Sequence, residues 1–414
     1  MQWSPQQDSA LVRANRWLRD ESAPQVFRLF GYAGTGKTEL AKRIAQDVEG
    51  SVYFAAPTNK AASVMRSRGC RGAGTVHSLI YRYGGVTEAD VSALEERYER
   101  LRREANKVPG TDKAQRLRER AREVMRLIES LRASGGRPMF MYNERNLLVG
   151  ASLLILDEGS MIDRQTGEDL LQPGCKILVL GDPAQLPPVR GQGFFTEGTP
   201  DVMLTEIHRQ ARDNPIINLA ADIRQGYDPV PGDYGKLRIV PRGHKLDPQY
   251  VMGHDQILCW RNETRRACNA RVRHLLGHAG HALPRAGEKV LAMRNNPEAG
   301  VMNGAFYRTM NDAVPGESSS GRGVCLLDLK QEDDEERVLS VDAAAGPFLG
   351  IPYDFRLDEG NELEYGYAAT VHKAQGSQWH SVLVYDECTD GSIRRRWLYT
   401  AVTRAQERLT VAGI

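Results

Sequence analysis

The chain has 414 residues, enough for roughly two to four domains with a sizeable buried core. At 41% hydrophobic and 26% charged it has an ordinary globular composition, which excludes a disordered or collagen-like chain. The net charge of only +2 means that any nucleic-acid surface must be a local basic patch. Six cysteines lie scattered with no C-x-x-C pair, which argues for a reducing compartment and against disulfides or zinc. Met1-Gln2-Trp3-Ser4 is not a charged-then-apolar leader and no run of about 18 apolar residues occurs, so the expectation is a cytoplasmic protein with no membrane partner.

Taken in order, Trp3 to Leu18 places apolar residues at 10, 11, 14, 17 and 18, one face of a helix with Gln7 at its start. An amide both donates and accepts, as an adenine edge requires, although a glutamine there is equally served by solvent. The apolar run Val26 to Phe30 then delivers Gly31-Tyr32-Ala33-Gly34-Thr35-Gly36-Lys37-Thr38, a complete G-x-x-x-x-G-K-[ST] phosphate loop opening a helix over Glu39 to Val48. The backbone N–H groups of Gly34, Thr35 and Gly36 can close around phosphates, Lys37 can reach the β/γ oxygens, and the Thr38 hydroxyl can hold Mg²⁺. The expected ligand is a nucleoside triphosphate.

Two polar loops follow. Pro57-Thr58-Asn59-Lys60 comes after the strand Val52 to Ala56, and Gly74-Thr75-Val76-His77 precedes Tyr81. Their hydroxyls, amide, lysine and imidazole suit the phosphates of a single strand, or simple capping. Residues 84 to 146 differ in character. Apolar positions 91, 94, 98, 101 and 105, then 114, 117, 121, 124, 128 and 131, flank Pro109-Gly110 and predict an antiparallel helical hairpin. Between Arg97 and Arg132 stand twelve Lys/Arg against six Asp/Glu, the pattern of a solvated face or of an arm beside a nucleic-acid duplex.

The α/β pattern resumes at Leu153-Leu154-Ile155-Leu156-Asp157-Glu158, a buried parallel strand ending in two acids. Asp157 is placed for the Mg²⁺ shell and Glu158 to orient and deprotonate an attacking water. The next strand, Ile177 to Leu180, leads to Gln185, a polar group able to sense a γ-phosphate. Beyond Gly193 a second α/β region is expected, with a helix to Arg224 and a strand at Gln256 to Trp260. Short β runs between Lys289 and Asp342 predict a small inserted sheet or barrel. The chain closes with Thr370-Val371-His372-Lys373-Ala374-Gln375, a strand over Ser381 to Tyr385, and Thr400-Ala401-Val402-Thr403-Arg404 before a last strand.

In their order, GYAGTGKT, APTNKAA, TVHSL, LILDE, LGDPAQLPPV, LTEIHRQ, VMNG, ATVHKAQGSQW and YTAVTRA resemble the motifs of superfamily 1 helicases. Within that superfamily the likeness is to the group B enzymes related to RecD and the phage helicase Dda. The resemblance implies an α/β fold of two RecA-like P-loop NTPase domains, the first formed by residues 1–83 and 147–195 and the second by 196–302 and 366–414. A helical-hairpin insertion at 84–146 and a small SH3-like β insertion at 303–365 complete it.

It further implies an ATP-dependent DNA helicase that moves 5′ to 3′ on single-stranded DNA and opens single-strand/double-strand junctions, with ATP and Mg²⁺ as cofactors. Gln7 resembles the adenine contact, Arg209 and Arg404 the two arginines sent to the γ-phosphate, and Gln375 a residue linking nucleotide to DNA. Thr58, Asn59, Lys60, His77, Asn303, Thr370, His372 and Lys373 resemble strand contacts. A nucleotide-switched single-strand clamp and an RNA helicase are the alternatives. Relatives often carry a short β-pin where this chain has its long helical hairpin, whose expected partner is the duplex ahead of the fork or a replication or repair protein.

Overall fold

The computed structural model describes residues 3–84, 88–133, 139–188, 193–206, 213–318, 322–332, 334–354 and 357–413. It separates into two compact units, Met1–Val76 with Leu148–Ile414, and His77–Leu147. In the first unit Ser4 and Gln7 close a reciprocal capping box at the start of α1 (Pro5–Arg19), which turns Ala10, Ala14 and Trp17 into the core. β1 (Val26–Gly31), α2 (Lys37–Gln46), β2 (Val52–Ala56), α3 (Asn59–Ser67) and β3 (Gly74–Thr75) follow, and then α4 (Val76–Ile80). The Thr58 hydroxyl accepts from Ala61 N and so sets where α3 begins.

The smaller unit contains β4 (Tyr81–Gly84), α5 (Glu88–Lys107), α6 (Asp112–Ala133) and β5 (Met139–Tyr142). The helices form the expected hairpin, closed by Ala105, Ala114, Leu117, Ala121, Val124, Ile128 and Leu131. At its base β4 pairs antiparallel with β5, from Tyr81 opposite Tyr142 to Gly84 opposite Met139. This ribbon corrects the expectation of helices alone. Its strands are four residues each and more than fifty positions apart, so neither carries a local hairpin signal.

Back in the larger unit come β6 (Leu153–Leu156), α7 (Arg164–Leu171), β7 (Lys176–Gly181) and β8 (Val202–Leu204). The first sheet has the order β3-β2-β6-β7-β1-β8 and its pairings are parallel. All four residues of β6 are buried, as a strand covered on both faces requires. Because β8 pairs with β1, this sheet reaches Leu204, past the boundary expected at 195; three residues are too short a run for sequence to assign.

α8 (Pro215–Gln225) begins at an Asn214 cap and ends at left-handed Gly226. β9 (Gly232–Asp233), β10 (Leu237–Val240), α9 (Pro248–Met252), β11 (Gln256–Cys259) and α10 (Asn262–Leu275) follow. Next are β12 (Lys289–Ala292), β13 (Phe306–Thr309), β14 (Val314–Gly316), β15 (Val324–Gln331), β16 (Asp334–Ala344) and β17 (Leu363–Tyr365). The chain ends with β18 (Ala368–Thr370), β19 (Trp379–Asp386), α11 (Arg394–Val402) and β20 (Ala405–Gly413). The second large sheet, β18-β11-β19-β20-β10-β9, is parallel apart from β9.

β12 to β17 make a separate antiparallel sheet with its own apolar cluster around Tyr307, Leu327 and Leu363. Since β12 belongs to it, the insertion begins by Lys289, where the short β runs begin in the sequence, and not at the 303 boundary that the resemblance implies. The apolar run at 289–293 reads as a buried strand either way, and only its partners β13 and β17 settle which sheet it joins. Among the described residues no helix is long and apolar enough to cross a membrane.

Candidate nucleotide and nucleic-acid site

β1, β6 and β7 all deliver their next residues to the carboxyl edge of the first sheet, where ligands of parallel α/β sheets sit. After β1, Gly34 and Gly36 both take φ 78°, a left-handed conformation that glycine adopts without strain. A Cβ on Gly31 would stand 2.7 Å from Thr35 Oγ1 and 2.8 Å from Leu204 Cβ, so the loop can pass there only as glycine. Lys37 Nζ donates to the carbonyls of Gly31 at 2.6 Å and Tyr32 at 3.0 Å, folding the ammonium over the loop. The cradle and the N-terminus of α2 fit a polyphosphate. Thr38, buried on the first turn of α2, and Asp157 carry hard oxygen donors of the kind that would hold Mg²⁺. Gln7 is buried beside the loop, with Nε2 donating to Thr35 O at 3.1 Å and Oε1 held by the capping box.

Beyond β6, Asp157 Oδ1 accepts from Glu158 N at 2.8 Å. Glu158 has φ 50° and ψ 40°, the one non-glycine with positive φ among the described residues. Such strain costs about 1–3 kcal/mol and persists where the surroundings over-determine it, commonly at functional sites. Burial pushes the Glu158 carboxyl above its ordinary range, opposed chiefly by the charge of Arg404. Gln185, beyond β7, is buried with Oε1 lacking a hydrogen-bond partner among the described residues, an acceptor suited to holding a water.

The second sheet reaches the same place. Arg404, just past α11, is buried, with Nη1 3.8 Å from Glu158 Oε1. Its guanidinium is oriented by the carbonyls of Thr400 at 3.1 Å and Ser377 at 3.2 Å. Gln375 Nε2 donates to Leu186 O at 2.8 Å, and Leu186 N donates to Thr400 Oγ1 at 2.9 Å, so the residue after Gln185 is held at both ends by the second domain. Arg209, the other expected arginine, lies outside the described residues.

Three contributors were not singled out in the sequence. Tyr399, 2% exposed, donates through its hydroxyl to Asp182 Oδ2 at 2.7 Å and accepts from Ala33 N of the phosphate loop at 3.1 Å. Burial, followed by Asp182, drives that phenol well above its usual range. The Arg224 guanidinium lies 3.4 Å from the centroid of the Tyr32 ring, a second clasp on the loop. Trp260, at the end of β11, packs on His372 with ring centroids 5.6 Å apart. Tyr399 shares a motif with Arg404, which was a usable signal; Arg224 and Trp260 offered none.

Of the expected strand contacts, several converge. Lys373 Nζ donates to Asn303 Oδ1 at 3.1 Å, and Thr370 Oγ1 accepts from Lys373 N at 3.4 Å. Burial lowers the pKa of Lys373 and of His372. A Cβ on Gly376 would meet Thr58 Oγ1 at 2.8 Å, which puts the Thr58-Asn59 turn of the first domain against the loop carrying His372 and Lys373. Lys60 is only 7% exposed and lines an open cleft of about 500 Å³ with Lys289, Arg308, Lys330 and His380. His77 belongs to the smaller unit, where its ring packs on Tyr81 and Phe140 at 5.0 and 5.4 Å.

A phosphate loop and paired acids on one parallel sheet, with an arginine sent across from another, define a nucleotide-binding protein of two RecA-like domains. Residues 5–234, more than half the chain, match the AAA domain family, and residues 365–412 match the UvrD-like helicase C-terminal domain. The chain belongs to that AAA domain family. It is 32% identical over 285 residues to the ATP-dependent RecD2 DNA helicase of Deinococcus radiodurans, an alignment covering 63% of this chain and 36% of the relative. It therefore spans about a third of that protein's length.

The RecBCD subunit RecD of Mycobacterium tuberculosis is 24% identical over 450 residues, covering 93% of this chain and 66% of the relative. A crystal structure of Bacteroides Pif1 bound to single-stranded DNA shares the fold, with TM-score 0.53 and 17% identity over 99% of this chain and 92% of that one.

Proposed function

We propose that the chain is an ATP-dependent DNA helicase that moves 5′ to 3′ on single-stranded DNA and opens the duplex at junctions. The observation that carries this reading is Arg404 of the second domain standing 3.8 Å from Glu158 of the first, which makes the site a joint product of two domains. A nucleotide bound there biases how the domains sit, because its contacts differ between closed and open arrangements. RecD2 is an ATP-dependent DNA helicase and the Pif1 structure holds single-stranded DNA, both in line with this assignment.

Mg²⁺, held through Thr38 and Asp157, would neutralise phosphate charge. Gly34, Thr35, Gly36 and Lys37 cradle the β- and γ-phosphates, with Gln7 at the base. Glu158 takes a proton from a water that Gln185 Oε1 helps to hold, and Arg404, with Arg209, stabilises the charge that develops. Gln375 and the twice-held Leu186 tie this chemistry to the loop carrying His372 and Lys373. Thr58, Asn59, Asn303, Thr370, His372 and Lys373 grip the strand, with His77 and Lys60 as further contacts, and Trp260 adds an aromatic face for stacking. The antiparallel sheet from β12 to β17 is the SH3-like insertion of the group.

The test is ATP hydrolysis with and without single-stranded DNA. The strand stimulates the intact chain, and Glu158→Gln or Arg404→Ala lowers the stimulated rate by about 10²–10³-fold. A Glu158→Gln chain that hydrolysed ATP at the full rate would overturn the assignment.

A further inference from the structure

We infer that the distal half of the helical arm is a docking surface for the phosphate backbone of a nucleic-acid duplex. Charge along the arm is segregated. Residues 100–122, which span the end of α5, the turn and the start of α6, hold nine Lys/Arg against three Asp/Glu. The basal parts, 88–99 and 123–133, hold three against seven. Arg82 pairs with Asp90 and Arg132 with Glu95 at the base, Arg102 pairs with Glu99 near the middle, and Arg97 and Arg120 are engaged as well. Arg100, Lys107, Lys113, Arg116, Arg118 and Arg122 are exposed and have no carboxylate partner among the described residues.

A face shaped by solubility alone would interleave the signs. Here Arg118 and Arg122 stand four residues apart, and Arg100, Arg103 and Lys107 follow a three-and-four spacing on one side of α5, with Glu104 the one acid among them. Like charges at those spacings destabilise a helix. The stripe is therefore kept at a cost in helix stability, as a surface complementary to a polyanion would be. Its reach suits a duplex: the basic part of α6, 112–122, has 11 residues and spans about 16 Å, close to half a turn of B-form DNA at roughly 34 Å per turn. Because the buried residues of the hairpin are all apolar, the cationic faces turn outward without disturbing its packing.

The inference rests on the helicase reading for its setting, and its test separates the two. The full chain, and a variant with Arg100, Lys107, Arg116, Arg118 and Arg122 changed to Gln, are titrated with a blunt-ended DNA duplex over a range of salt, alongside the ATPase stimulated by single-stranded DNA. The variant should bind duplex at least tenfold more weakly at low salt. Its log affinity against log salt should flatten by about 0.9 for each phosphate that is no longer neutralised, with stimulated ATPase unchanged. A variant carrying Lys at all the altered arginines, with Lys107 retained, should keep both affinity and slope. Unchanged duplex affinity and salt slope in the Gln variant would overturn the inference and leave the stripe to a protein partner. An intact chain without stimulated ATPase would instead refute the helicase reading and leave the duplex titration standing.

Discussion

Tyr399→Phe removes one oxygen at the junction of the two domains. Asp182 Oδ2 loses its donor at 2.7 Å and Ala33 N its acceptor at 3.1 Å, in a site where Asp182 is buried. A hydrogen bond to a charged group contributes about 1.5–3 kcal/mol and a neutral one about 0.5–1.5 kcal/mol. Asp182 Oδ1 keeps its bond from Ala184 N, which leaves the carboxylate partly satisfied and argues for the lower end, about 2 kcal/mol. Leu186 N, bonded to Thr400 Oγ1 across the same junction, exchanges its hydrogen only when the domains part locally. Amide exchange of the Leu186 segment should therefore accelerate roughly 30-fold in Tyr399→Phe, at 1.4 kcal/mol per factor of ten. Unchanged exchange there would refute the latch. So would an equal acceleration in β6 and β7, which would mean that the whole fold had weakened.

Burial raises the Glu158 carboxyl, and catalysis needs it ionised, so turnover falls as pH drops through a value above the ordinary ~4.3. Removing the opposing charge in Arg404→Ala should move the acid limb of the residual kcat profile further up in pH; movement downward would contradict the coupling. Gln375→Ala frees the Leu186 carbonyl while leaving Lys37, Glu158 and Arg404 in place. Stimulation of ATPase by single-stranded DNA should drop several-fold with basal hydrolysis kept, and equal loss of both would place Gln375 in the chemistry itself.

Much of the site is legible in the sequence because phosphate chemistry needs fixed spacings on one strand-loop-helix unit. The phosphate loop, the acids after Leu156 and Gln185 after β7 are each announced by an apolar run followed by polar residues. What escapes depends on partners far apart in sequence. Tyr399 meets Ala33 and Asp182, and Arg224 meets Tyr32, only once the two sheets are folded beside one another. The β4–β5 ribbon escapes for the same reason, since a strand of four residues does not say which neighbour it pairs with. The type of Gln7 alone leaves its role open, and only the resemblance points to an adenine contact. Its capping box and bond to Thr35 explain why a glutamine sits there irrespective of any base.

The most direct test is ATP-dependent strand separation on matched partial duplexes bearing a 5′ DNA tail, a 3′ DNA tail or a 5′ RNA tail. Opening of the 5′ DNA-tailed duplex alone is the predicted result. ATP hydrolysis stimulated by single strands with no duplex opened would contradict it and make the chain a nucleotide-switched clamp.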